Sequence, residues 1–179
     1  MVPRAKGPVF DALAKTFRKL GEGAIDSLVS AFNAQDSGPS WKAYRDMLLQ
    51  TGPVVSKSIA KSFKGKTPAE NEEKLKVLVE LRSPSVPAFL IEMLGDPEVS
   101  DMVVRSLVQF GSMSVDPAIA ELTKYEGSEK DAVIKELLCR ALGDIKSRRA
   151  VPILEKMAKD PSDLVRGAAD MALQKVRGF

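Results

Sequence analysis

The chain has 179 residues, 44% hydrophobic and 28% charged with a net charge of +3, which is long enough to bury a continuous core. It contains no histidine and a single cysteine, Cys139. That excludes histidine-based triads, histidine proton shuttles, the usual zinc and iron sites and an internal disulfide framework, while no run of 18 apolar residues exists to span a membrane.

Aromatics make up only 6% of the residues, and Leu, Ala, Val, Lys and Glu carry the composition, a balance that favours helices. The first helix is expected in "PVFDALAKTFRKL", with Phe10, Leu13, Phe17 and Leu20 on one side and Lys15, Arg18 and Lys19 elsewhere. It reads as a capping helix whose apolar face seals the first unit, with a membrane-surface anchor as the alternative, and it closes at Gly21. In "SWKAYRDML", Trp41, Tyr44 and Leu48 fall at i, i+3 and i+7, a face turned to the core. Gly52 closes that helix, and "VVSKSIAKSFKGK" follows Pro53. There Val55, Ile59 and Phe63 mark a buried stripe, and Lys57, Lys61 and Lys64 repeat on another face.

The next helix closes at Arg82, and "VPAFLIEML" follows. Val86, Phe89, Leu90 and Met93 suffice for its core side, which leaves Ala88 and Ile91 as candidates for an exposed apolar spot: either the middle of the array is buried on both sides, or a partner covers it. Val103, Leu107 and Phe110 lead to Gly111, and Val115, Ile119 and Leu122 follow it. Val133, Leu137 and Leu138 lead to Gly143, and Val151, Leu154 and Met157 come after. A last helix carries the stripe Leu164, Val165, Ala168, Ala172 and Val176.

Gly21, Gly52, Arg82, Gly111, Gly143 and Gln174 thus form a nearly even series, their position numbers differing in turn by 31, 30, 29, 32 and 31. Each marker separates two amphipathic runs, with glycine supplying the left-handed cap that stops the first. Proline then opens or enters the second, as Pro53, Pro87, Pro117 and Pro152 do. In "GDPEVS" and "KDPSDL", Asp just before Pro is placed to cap the following helix. The chain reads as all-α: a right-handed α-solenoid of about five helix pairs plus a terminal helix. It forms a single domain over 1–179, with units at about 7–37, 38–67, 68–96, 97–128 and 129–160 and the last helix at 161–177. One pair cannot bury its apolar face alone, so neighbours must stack.

The stretch "ALGDIKSRRAVPILEKMAKDPSDLVRGAADMALQKV" resembles the HEAT repeat, in the HEAT-like variety first noted in phycocyanobilin lyases. The pieces "ALGDI", "AVPILEKM", "KDP" and "LVRGAADMAL" carry the likeness, and "GDPEVSDMVVRSLVQFG" is a second copy with Val104-Arg105 echoing Val165-Arg166. The resemblance implies an armadillo-like α-solenoid whose second helices line a concave groove. It does not imply one activity, since such arrays are mostly scaffolds and adaptors, with a few relatives acting as lyases, hydroxylases or DNA glycosylases. The hydroxylase branch needs histidine ligands, which this chain lacks.

Charge is uneven: residues 1–66 hold 11 Lys and Arg against 5 Asp and Glu, whereas 67–179 hold 16 against 19. Such asymmetry steers a charged partner or favours head-to-tail association. On the resemblance, the groove presents Lys57, Lys61 and Lys64 at one end, Ala88, Ile91 and Glu92 in the middle, and Glu121 and Glu155 further on. The expected function is a non-enzymatic scaffold in the cytoplasm, with no catalytic, cofactor or metal site. It would bind a protein or peptide that offers acid, then an apolar residue, then base. The alternative is a nucleic-acid-binding or base-processing repeat protein that uses the basic N-terminal half.

Overall fold

The computed structural model describes residues 7–34, 39–62, 68–126 and 131–178, and among these it contains helices and no strand. The helices are α1 (Pro8–Leu20), α2 (Glu22–Asn33), α3 (Pro39–Thr51), α4 (Ser56–Lys61), α5 (Pro68–Leu81) and α6 (Val86–Ile91). They continue with α7 (Ser100–Phe110), α8 (Ser112–Lys124), α9 (Ala132–Ile145), α10 (Val151–Met157) and α11 (Asp163–Arg177). Short 3-10 turns, Pro53–Val55 and Arg148–Ala150, lead into α4 and α10.

The chain divides into two compact units, Met1–Val86 and Pro87–Phe179. In the first, α1, α3 and α5 pack side by side, and α2 and α4 form a second row against them. Ile25, Leu28, Val29 and Phe32 of α2 join Leu48 and Ile59 in its core. In the second, α7, α9 and α11 make one row and α8 and α10 the other. Leu107, Leu122, Leu138, Leu142 and Leu154 are its fully buried centre. Both units are therefore stacks of helix pairs, as the periodicity predicts.

The joints within the pairs explain four of the six markers. Gly21 (φ 82, ψ −164) and Gly52 (φ 86, ψ −167) occupy a backbone region that only glycine enters without large strain. Arg82 and Gly111 also have positive φ, 49 and 61. The reversal at each joint turns the chain so that the second helix folds back along the first.

The last two markers work differently. Helix α9 runs through Gly143 to Ile145, and the left-handed residue is Lys146 (φ 55), while α11 runs through Gln174 to end at Gly178 (φ 84). Gly143 is a contact residue instead of a cap. A Cβ built on it would lie 2.7 Å from the Cα and 2.8 Å from the Cβ of Ala172, so the missing side chain lets α9 and α11 cross closely.

Pro117 enters α8, which already starts at Ser112, as the proline pattern allows. Another local expectation needs correction. The aspartates before proline do not cap α7 or α11, whose N-caps are Val99 and Ser162 without side-chain bonds. They make a tighter turn: Asp96 Oδ1 accepts the Glu98 N–H and Asp160 Oδ1 accepts the Ser162 N–H, each at 3.0 Å. The other oxygen of Asp160 accepts a 2.6 Å bond from Lys135 Nζ, and both side chains are 0% exposed. Arg166 then closes the corner, donating to the carbonyls of Asp160 (2.7 Å) and Pro161 (2.8 Å).

Candidate interaction surfaces

Each second helix was expected to offer part of a binding face. In the first unit, α4 carries Lys57 and Lys61 on its exposed side, one turn apart. Lys64 lies outside the described residues. The two ammonium groups converge on Glu22 at the start of α2, with Lys61 Nζ 2.9 Å and Lys57 Nζ 3.6 Å from its Oε1. The hydrogen bond from Lys61, reinforced by both positive charges, holds the Glu22 carboxyl below its ordinary value and raises Lys61 in return. The lysine row is thus directed at the neighbouring helix pair and is partly neutralised there. Nothing local in the sequence signals this pairing, since Glu22 opens a helix of the preceding pair, with all of α3 between it and the lysines.

Trp41 stays on the core side, its ring centroid 5.8 Å from that of Phe32.

In the second unit, α6 is short, and the chain turns from Glu92 onward. Ala88 and Glu92 are exposed, but Ile91 is only 4% exposed and belongs to the core. The expected apolar spot therefore shrinks to Ala88. The reason is geometric: a short helix followed at once by turns tucks its last apolar residue inward, where a longer helix would have needed only one stripe.

Glu121 is held by Lys124 Nζ at 2.6 Å. Lys124 is raised above its ordinary value by that bond first, with Glu92 adding to the field. Tyr125 is raised as well, mainly by burial and then by its hydrogen bond to Glu121. Glu92, Glu121, Lys124 and Tyr125 thus form one electrostatic group. Glu155 is tied elsewhere, to Arg177 of α11 at 2.5 Å. Lys124 thus pairs with Glu121 and feels the charge of Glu92, while Glu155 sits on the joint to the last helix.

Cys139 is buried in α9, and loss of solvation pushes its thiol up to about 12, so it is no nucleophile at neutral pH. Among the described residues no group of three or more His, Cys, Asp or Glu is arranged to hold a metal ion. No helix among them is long and apolar enough to cross a membrane. What these surfaces offer chemically is charge and small apolar contact, the means of docking another molecule.

No curated protein matches the sequence. A family model does match, that of HEAT repeats, over residues 87–174. Its limits nearly coincide with the second compact unit. On that match, residues 87–174 of this chain belong to the HEAT repeat family.

Proposed function

We propose that the protein is a non-enzymatic scaffold or adaptor that binds a protein or peptide segment along the face of its second helices. The observation that carries this reading is the HEAT repeat match on stacked helix pairs, an architecture typical of protein–protein interaction scaffolds. On this reading the five pairs and last helix of residues 1–179 form one right-handed solenoid working in the cytoplasm. Lys57 and Lys61 lie at one end of its groove, Ala88 and Glu92 in the middle, and Glu121 and Glu155 beyond. The favoured partner places a small apolar side chain on Ala88 and a base near Glu92. Charged rim contacts set association rate and register, and the apolar contact holds the complex.

The test is affinity capture from native extract with the parent and two variants, Ala88→Asp and Glu92→Lys. Proteins kept by the parent and lost from both variants support the groove. The same set on all three would move binding to another face. A nucleic-acid reading is less favoured, because Glu22 already engages Lys57 and Lys61. Binding to DNA or RNA whose logarithm falls steeply with the logarithm of salt, and which is lost with Lys57→Glu/Lys61→Glu, would reinstate it.

A further inference from the structure

Helix α1 does not seal its apolar side as the sequence suggested. Ala14 is buried and Phe17 half-buried, while the side chain of Phe10 lies outside the described residues. Val9 (67%), Leu13 (42%) and Leu20 (67%) stand in solvent, three of the seven large apolar side chains so exposed among the described residues. With about 100° of turn per residue they fall within about 40° of one another, which makes one strip along the helix. Apolar exposure concentrated in this way marks a face that another surface covers.

The charges of α1 identify that surface. Lys15, Arg18 and Lys19 are exposed and have no ion pair among the described residues. They are not on the strip: Lys19 is turned about 100° from its middle, Lys15 about 140° and Arg18 about 160°. Asp11, the only acid of α1, lies about 180° away. Laid strip-down on a flat apolar layer, the helix holds Lys19 level with the edge of that layer, where its long stem lets the ammonium reach outward. Lys15 and Arg18 then stand within about one helix width, roughly 10 Å, which is comparable to the Debye length at 0.1 M salt. Asp11 is the farthest of all. The next acid along the chain, Glu22, already carries Lys61 at 2.9 Å and Lys57 at 3.6 Å, so that group is net positive too.

We infer that α1 is a membrane-surface helix that docks the chain on an anionic lipid leaflet. Val9, Leu13 and Leu20 enter the interface, and the basic side chains sit at and above the headgroups. An apolar strip below with cations beside and above it is the arrangement of an interfacial helix. A single helix face is a convex ridge, and acyl chains close around a ridge without a preformed groove. The inference rests on α1 alone and stands or falls apart from the groove reading.

Flotation of the full chain tests it with two vesicle sets, phosphatidylcholine alone and phosphatidylcholine with about 30% phosphatidylserine as the anionic leaflet. The chain should float with the anionic set at low salt, stay behind with the neutral set, and be released as salt rises to about 0.5 M. Lys15→Gln/Lys19→Gln should weaken binding at least about tenfold, and Leu13→Asp should abolish it. All three positions are exposed, and circular dichroism checks that the helices remain. A polarity-sensitive dye then reads the face, attached at Leu20→Cys or, on the opposite side, at Asp11→Cys, since Cys139 is buried and stays unlabelled. The dye at 20 should shift to the blue on anionic vesicles, and the dye at 11 should not. This pair puts no charge into the strip, so it decides the matter if Leu13→Asp disturbs the helix. A chain that floats with neither set overturns the proposal and leaves the strip to an acidic protein. So does equal flotation with both sets, a folded Leu13→Asp variant that binds like the parent, or equal dye shifts at both positions.

Discussion

Replacing Gly143 with alanine tests whether the closeness of α9 and α11 is a constraint. The substitution has two opposing effects. Gly143 lies inside α9, so alanine should favour the helix by about 1 kcal/mol. Its Cβ, however, would stand 2.7 Å from the Ala172 Cα, which is backbone and cannot rotate away. Forcing the helices apart costs roughly 1–3 kcal/mol, as overpacking elsewhere in proteins does. Gly167 provides the control, because it lies inside α11 with nothing within 4 Å of a built Cβ. Gly167→Ala should therefore show the propensity gain alone. The difference between the two variants, read from urea midpoints at constant slope by far-ultraviolet circular dichroism, should be about 1–3 kcal/mol with Gly143→Ala the less stable. Equal midpoints would show that the two helices separate freely and that the glycine is not a contact residue.

Other consequences follow from the buried groups. Lys135→Met or Asp160→Asn alone should cost about 3–5 kcal/mol by stranding one half of a buried pair. Lys135→Met with Asp160→Leu should cost less than the two singles together, and an additive double-mutant cycle would contradict this. Leu107→Ala should lower stability by roughly 2–5 kcal/mol, since its side chain is fully buried, and an unchanged denaturation midpoint would refute the packing. The Cys139 thiol holds its proton more tightly when folded than unfolded, so its contribution is complete below pH 9 and drains away as pH rises towards about 12. At pH 8 a thiol reagent should label it only as fast as the chain opens, and full labelling of native protein within seconds would contradict its burial.

The helix ends at Gly21, Gly52, Arg82 and Gly111 were legible in the residues alone. Helix spacing is an i, i+3, i+4 pattern, and the backbone of Gly21, Gly52 and Gly111 is set within its own turn, so an evenly spaced series of markers suffices to place the pairs. The repeat resemblance at 95–111 and 141–176, largely within the matched residues 87–174, was legible for the same reason, because each helix pair repeats its local signals. What lay between helices was not. Gly143 reads as a cap by its interval, yet it is the crossing point with Ala172 on the following layer. Lys57 and Lys61 read as a free row, yet they answer to Glu22 across a pair. Ile91 reads equally as surface or core and is core, whereas Leu13 and Leu20 read as a seal and are exposed. A residue's face on its own helix follows from the turn of the helix alone. Whether that face meets another helix depends on which helices lie beside it, and that is decided only when distant segments pack.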